Sequence, residues 1–173
     1  MAILDVRKFP DKILRQKAEP VSIITNAERK LIEDMFDTMY FANGVGLAAP
    51  QVGIPKRIIA CNPTGNKEDE LAIINPKIIS RSGKKVKECE GCLSIPGITG
   101  EIARYSKVKA SGKNMQGQDI AIEAEGLLAR IIDHETDHLD GVLFIDRMGF
   151  LSRQLLLNKY KKKVGVSCVG RWY

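Results

Sequence analysis

Two histidines occur in the chain, four residues apart, in His134-Glu135-Thr136-Asp137-His138. On a helix, residues i and i+4 lie on one face. Two imidazoles so placed can hold one divalent metal ion, and the glutamate after the first can reach the side of the ion that faces solvent. Two imidazoles alone bind such an ion weakly. A catalytic centre takes three protein ligands and leaves a fourth position for water. With no third histidine, the third ligand must be a cysteine, aspartate or glutamate.

Cys89 and Cys92 offer two readings. If both bind, the centre is a closed Cys2His2 zinc site of the structural kind. The chain would then be a zinc module whose basic residues 159–163 bind RNA or the ribosome. If one binds, the centre stays open. Three features favour the open reading. The gap from Cys92 to His134 is far longer than the about 12 residues of a small zinc finger. A chain of 173 residues can fold without a metal staple. Glu135 stands where a general base would, and a closed site has no use for one. Spacing alone does not separate the two cysteines. An extended segment presents residues three apart on opposite faces, and Gly91 and Pro96 shape a loop around Cys92, which tilts the choice to Cys92.

With Cys92, His134 and His138 as ligands, water at the open position is acidified toward neutrality. Glu135 can take its proton and pass it to a leaving nitrogen. A positioned acid/base group typically contributes about 10²–10⁴-fold. A neutral amide such as Gln51, and a backbone N–H just after the cysteine, suit the oxyanion. The reaction class is metal-assisted amide hydrolysis.

The elements that must position these groups can be read from periodicity. Thr25-Asn26-Ala27-Glu28 has the form of a capping box, and the apolar spacing predicts a helix over 26–41, ended by Asn43-Gly44. Residues 44–53, Gly-Val-Gly-Leu-Ala-Ala-Pro-Gln-Val-Gly, read as a loop of small side chains that lets backbone approach a ligand. The spacing fits neither a dinucleotide nor a phosphate loop. Residues 57–61, 71–74 and 77–81 read as short strands, with turns at 63–70 and 82–85. Residues 106–110 and 120–124 read as a hairpin. A helix over 127–139 carries both histidines, 142–145 reads as a short strand or extended segment, and 150–163 as a last helix with Leu151, Leu155 and Leu156 inward. Residues 164–173 read as an apolar tail that pairs as a strand or docks. The fold class is α+β: mostly antiparallel strands packed around a central metal-binding helix, with an N-terminal and a C-terminal helix. Residues 1–173 are expected to form a single catalytic domain.

Composition excludes several classes. At 44% hydrophobic and 28% charged residues the chain is an ordinary globular one, and no apolar run approaches the about 20 residues that span a bilayer. No signal peptide is apparent, so a cytoplasmic setting, with neither membrane nor DNA as partner, is the expectation. The four cysteines are expected as ligands or small buried side chains rather than disulfides. The net charge of +6 is mild, and the lysines at 159–163 suit the negative end of a helix.

Three segments, Gly44-Val45-Gly46-Leu47-Ala48-Ala49-Pro50-Gln51, Glu90-Gly91-Cys92-Leu93-Ser94 and His134-Glu135-Thr136-Asp137-His138, resemble in order the three motifs of peptide deformylases. The resemblance spans nearly the whole chain. It implies removal of the formyl group from nascent N-formylmethionyl polypeptides with release of formate, in a bacterial or organelle-type setting, of which the bacterial cytoplasm is the expectation, with the ribosome near the nascent-chain exit as a further partner. It implies Cys92, His134 and His138 as metal ligands, Glu135 as the acid/base, and Gln51 with the Leu93 N–H at the oxyanion. One divalent ion per chain is expected, Fe²⁺ in the cell, with Zn²⁺, Ni²⁺ or Co²⁺ acceptable to the same ligands. The peptide would lie as an added strand along Val45, Gly46 and Gly91, its methionine in an apolar pocket of Val45, Leu127, Ile131 and the His134 ring. Arg104 is expected to pair with Glu90. Three departures stand out: Asp133 in place of the usual glutamine, Glu88 where an apolar pocket residue is common, and Cys89 beside the ligand loop.

Overall fold

The computed structural model describes residues 2–164. The expectation for the tail beyond Val164 lies outside them. Helix α1 (Asn26–Phe41) is followed by strands β1 (Gly46–Ala48), β2 (Ile58–Cys61), β3 (Leu71–Glu90), β4 (Gly100–Lys113) and β5 (Asp119–Glu125), then by α2 (Gly126–Leu139) and α3 (Phe150–Val164). The five strands form one antiparallel sheet in sequential order. The α+β expectation therefore holds.

Strand β2 explains the layering. Its residues Ile59 and Cys61 pack into the cluster of Ala129, Ile131, Ile132 and Leu139 from α2. The alternate residues Ile58 and Ala60 pack into the cluster of Ile32, Met35, Phe36 and Met39 from α1. A strand covered on both faces reads as a continuous apolar run rather than an alternation, as Ile-Ile-Ala-Cys does. A third cluster joins Leu14, Ile95, Ile102 and Phe144 to Tyr160 of α3.

Four expectations need correction. The residues at 82–85 make no chain-reversing turn, because β3 continues through them to Glu90. The ladder to β4 shifts register there, with Gly83 at φ +78°, so the turn-like residues form a bulge. Residues 44–53 are ordered as β1 and a 3₁₀ turn over Ala49–Val52 instead of a simple loop. Residues 142–145 are extended only at their start: Leu143 is extended but unpaired as a strand, and Phe144–Arg147 is a 3₁₀ turn whose Asp146 carboxylate accepts from Leu143 N at 2.8 Å. On α3, Leu151 and Leu155 face outward, at 76% and 65% exposed, while Leu156 packs inward as expected beside Leu157 and Tyr160.

Helix α1 begins as expected. Thr25 Oγ1 accepts from Ala27 N, and Glu28 accepts from Thr25 N at 2.9 Å and from Lys56 Nζ at 2.6 Å. Lys56 first, then Thr25, hold the Glu28 carboxyl at about 2 against the ordinary 4.5. A depressed carboxyl stabilises the fold fully above pH 4.5, and that stability is lost as pH falls toward 2. Glu28→Gln is expected to flatten the acid limb of stability between those values and to lower stability at neutral pH, read by urea unfolding across pH.

Candidate metal centre and active site

Every residue of α2 from Ala129 to Leu139 is buried. Its polar side chains must therefore be paired or functional. Cys92 Sγ lies 3.2 Å from His138 Nε2. One donor atom from each of Cys92, His134 and His138 falls within 4.8 Å of the others. Metal–sulfur and metal–nitrogen bonds of about 2.3 and 2.0–2.1 Å fit donors at this spacing. Oε2 of Glu135 and Nδ1 of His138 are buried with no hydrogen-bond partner. An open position beside the ligands would give the glutamate one. The donor set, a thiolate and two imidazoles, suits a divalent transition metal. Among the described residues this is the one such cluster, and Cys89 is not in it. Cys89 is exposed at the end of β3, which removes the closed Cys2His2 reading. Cys92 sits past the strand end, in a turn closed by Ile95 N donating to Cys92 O, so the opposite-faces argument does not apply to it.

Glu90 fixes the first histidine. It accepts from His134 Nδ1 at 3.0 Å, from Arg104 at 2.6 and 3.0 Å, and from Arg130 Nη1 at 2.6 Å. With Nδ1 so engaged, Nε2 is turned toward the centre. Gln51 is fixed from its other end. Its Oε1 accepts from Ala48 N at 2.7 Å, which turns Nε2 toward Ser94 Oγ at 3.2 Å and Cys92 Sγ at 3.5 Å. Gly46 passes so close to α2 that a Cβ there would meet Glu135 Oε1 and lie 2.8 Å from Ile131. Of the residues expected as ligands, catalytic groups or peptide contacts, all except His138 line one cleft of about 120 Å³. His138 stands behind the sulfur.

The family model described as polypeptide deformylase matches residues 3–154. This chain belongs to the peptide deformylase family. It is 47% identical to a peptide deformylase of Thermodesulfovibrio yellowstonii over 94% of this chain and 99% of that one. It is 49% identical to that of Halothermothrix orenii over 90% and 100%. A solved deformylase of Legionella pneumophila superposes with a TM-score of 0.88 at 39% identity, covering 96% of this chain and 100% of that one. That of Synechococcus elongatus, solved in complex with actinonin, gives 0.85 at 44%, over 91% and 86%. The family is a metal-dependent hydrolase family that deformylates nascent peptides.

The deformylase cleft has a distinct electrostatic character. Burial first, opposed by His134 and Arg104, raises the Glu135 carboxyl to about 7. Burial also pushes Glu90 up, but its bonds from His134 and Arg104 outweigh that and hold it at about 2. So two carboxylates within one network are driven apart, one basic and one permanently ionised. Asp133 does not reach the metal cluster. It pairs with Arg104 at 2.8 Å and Arg81 at 2.6 Å. Glu88 is half-exposed and pairs with Arg130 Nε at 2.9 Å.

The sequence reading missed Arg130 and the N-terminal arm. An arginine inside Leu-Leu-Ala-Arg-Ile-Ile, on a helix buried along that stretch, was a usable signal, because such a charge demands carboxylates. The arm carried none. Arg7 N donates to Gln51 O at 2.7 Å, Lys8 Nζ to Leu93 O at 2.7 Å and Phe9 N to Ser94 O at 2.8 Å, so three consecutive residues hold the Gln51 and Cys92 segments from outside.

Gly46→Ala is expected to displace Glu135 and lower kcat/KM by about 10²-fold, the scale of a misplaced catalytic group. Bound metal should stay at one per chain, since no ligand is touched. Metal analysis beside steady-state kinetics checks both.

Proposed function

We propose that this chain hydrolyses the formyl amide of N-formylmethionyl peptides, with Cys92, His134 and His138 holding one divalent ion. When bound, the ion lowers the pKa of water toward neutrality and polarises the formyl carbonyl. Glu135 takes the proton of the attacking water and delivers it to the leaving amine, which frees formate and the peptide. A carboxyl raised to about 7 is matched to both halves of that task. The Gln51 Nε2 and the Leu93 backbone N–H stabilise the oxyanion. The placement of the Gln51 amide beside Cys92 Sγ supports this role.

The peptide adds as a strand beside Val45 and Gly46, with Gly91 opposite. Strand β1 supports this, being one of the two edges of the sheet, with its outer side unpaired among the strands. Leu127, Ile131, Val45 and the His134 ring take the methionine side chain; all four line the cleft. Fe²⁺ is the expected ion in the cell, with Zn²⁺, Ni²⁺ or Co²⁺ able to replace it. Residues 1–173 act as one catalytic unit. The bacterial relatives favour the bacterial cytoplasm, with nascent chains at the ribosome as the setting.

The observation that carries the proposal is the thiolate and two imidazoles within 4.8 Å of one another beside a buried, basic glutamate. Glu135→Gln is expected to retain one metal per chain and to lose about 10²–10⁴-fold in formyl-Met peptide turnover. Undiminished turnover would remove Glu135 from the mechanism. X-ray absorption of the metal-loaded protein should find one sulfur and two nitrogen ligands with an oxygen completing the shell. A second sulfur would return Cys89 to consideration. Iron-loaded protein is expected to lose activity in air while zinc-loaded protein keeps its own, because Fe²⁺ is oxidised beside its thiolate ligand whereas Zn²⁺ has no redox chemistry.

A further inference from the structure

Helix α2 puts one charge into the wall from which the methionine pocket is built. Leu127, Arg130, Ile131 and His134 stand at i, i+3, i+4 and i+7, so they share one helix face. All four line the cleft. Three of them are contacts assigned above to the methionine side chain. The fourth is a guanidinium only 8% exposed. A cation buried that far is costly unless its charge and its N–H groups are answered.

The answers are nearly complete. Nη1 donates to Glu90 Oε1 at 2.6 Å and to Ile102 O at 3.1 Å, and Nη2 donates to Val86 O at 2.9 Å. Half-exposed Glu88 brings Oε2 to 2.9 Å from Nε. A guanidinium Nη2 carries two hydrogens. The second has no acceptor among the described residues. Two carboxylates already balance the charge, and Val45, Leu127 and Ile131 line the same cleft with apolar surface. An anionic side chain entering there would meet Glu88 and Glu90 and lose its own water. A neutral, polarisable acceptor would meet neither cost. The thioether of methionine is such an acceptor.

We propose that Arg130 determines specificity for the first side chain of the peptide, its second Nη2 hydrogen meeting the methionine sulfur at the end of the pocket. The inference rests on the formyl-peptide reading above and adds what separates methionine from a hydrocarbon chain of the same length. The departure at Glu88 belongs to the same device, because its carboxylate helps to neutralise and hold the guanidinium. A pocket of hydrocarbon alone would favour the more apolar norleucine or treat the two alike.

The test compares kcat/KM of the metal-loaded full chain for formyl-Met-Ala-Ser and formyl-norleucyl-Ala-Ser. The parent is expected to favour the methionyl peptide about three- to tenfold, the scale of one hydrogen bond. In Arg130→Met that ratio should fall to one or below. Both absolute rates will drop, because Glu90 loses a partner, but the ratio cancels that loss. Should the variant not fold, a crystal of the parent with the selenomethionine form of the product Met-Ala-Ser decides the matter. The anomalous selenium peak is expected within hydrogen-bond reach of the Arg130 guanidinium. Equal turnover of the two peptides by the parent, a ratio unchanged in Arg130→Met, or selenium away from Arg130 overturns the proposal while leaving the deformylase reading intact. Turnover of neither peptide removes that reading and this one with it.

Discussion

Arg104 is the constraint on which the rest depends. Helix α2 places carboxylates at Asp133, Glu135 and Asp137 within a stretch that is buried at every residue. A buried carboxylate without a counter-charge costs several kcal/mol or loses its charge. Arg104, 3% exposed, donates to Asp133 and Asp137 from α2 and to Glu90 at the end of β3. Arg81, Arg130 and Arg147 complete the set from its margins. Removing one partner of such a buried group typically costs about 3–5 kcal/mol. These pairs share atoms, so the figure belongs to the network rather than to each bond. The sheet is thereby fixed to the helix by charge as well as by apolar packing. Glu135 is the one carboxylate of the three that receives no arginine hydrogen bond, and burial leaves its pKa raised.

Glu90 turns that scaffold into chemistry. It answers Arg104 and Arg130 on one side and His134 on the other, so the orientation of a metal ligand is inherited from an ion-pair network. The cysteine turn is held independently. The N-terminal arm bonds to Gln51, Leu93 and Ser94, and Tyr160 of α3 donates to Phe9 O at 3.0 Å. The centre is therefore assembled from the chain's two ends and its middle. The long path between Cys92 and His134 is taken up by the β4–β5 hairpin, which delivers α2 back across the sheet.

What the sequence made legible follows from where the physics is local. The bounds of α1 and α2 were readable because capping chemistry and a 3.6-residue apolar period act within one element. The candidate metal cluster was readable because only two histidines exist and few residues bind a transition metal. The bulged strand was not, because Ser-Gly-Lys-Lys suits a turn or a bulge equally, and only pairing with β4 decides. The inward face of α3 was misjudged for a similar reason. Leu151, Leu155, Leu156 and Leu157 surround the helix, and the face is chosen by Leu14 and Phe144, which are distant in sequence. Asp133 stood out only as a departure because its partners, Arg81 and Arg104, are 52 and 29 residues away.

Gly46 shows why the cleft is narrow in what it permits. It must pair through β1 with Cys61 and pass over Glu135 with no room for a Cβ. Strand β1 is also one edge of the sheet, and the peptide proposed to add there would lie over the glutamate. The unpaired Glu135 oxygen, the Gln51 amide and the cysteine sulfur then converge beneath that edge. A backbone laid there as proposed would bring its terminal amide to all three. A larger residue at Gly46 would lift it away. The absence of one side chain is thus as specific a requirement of this centre as the presence of its ligands, and it arises because an edge strand and a buried helix must touch at the reacting group.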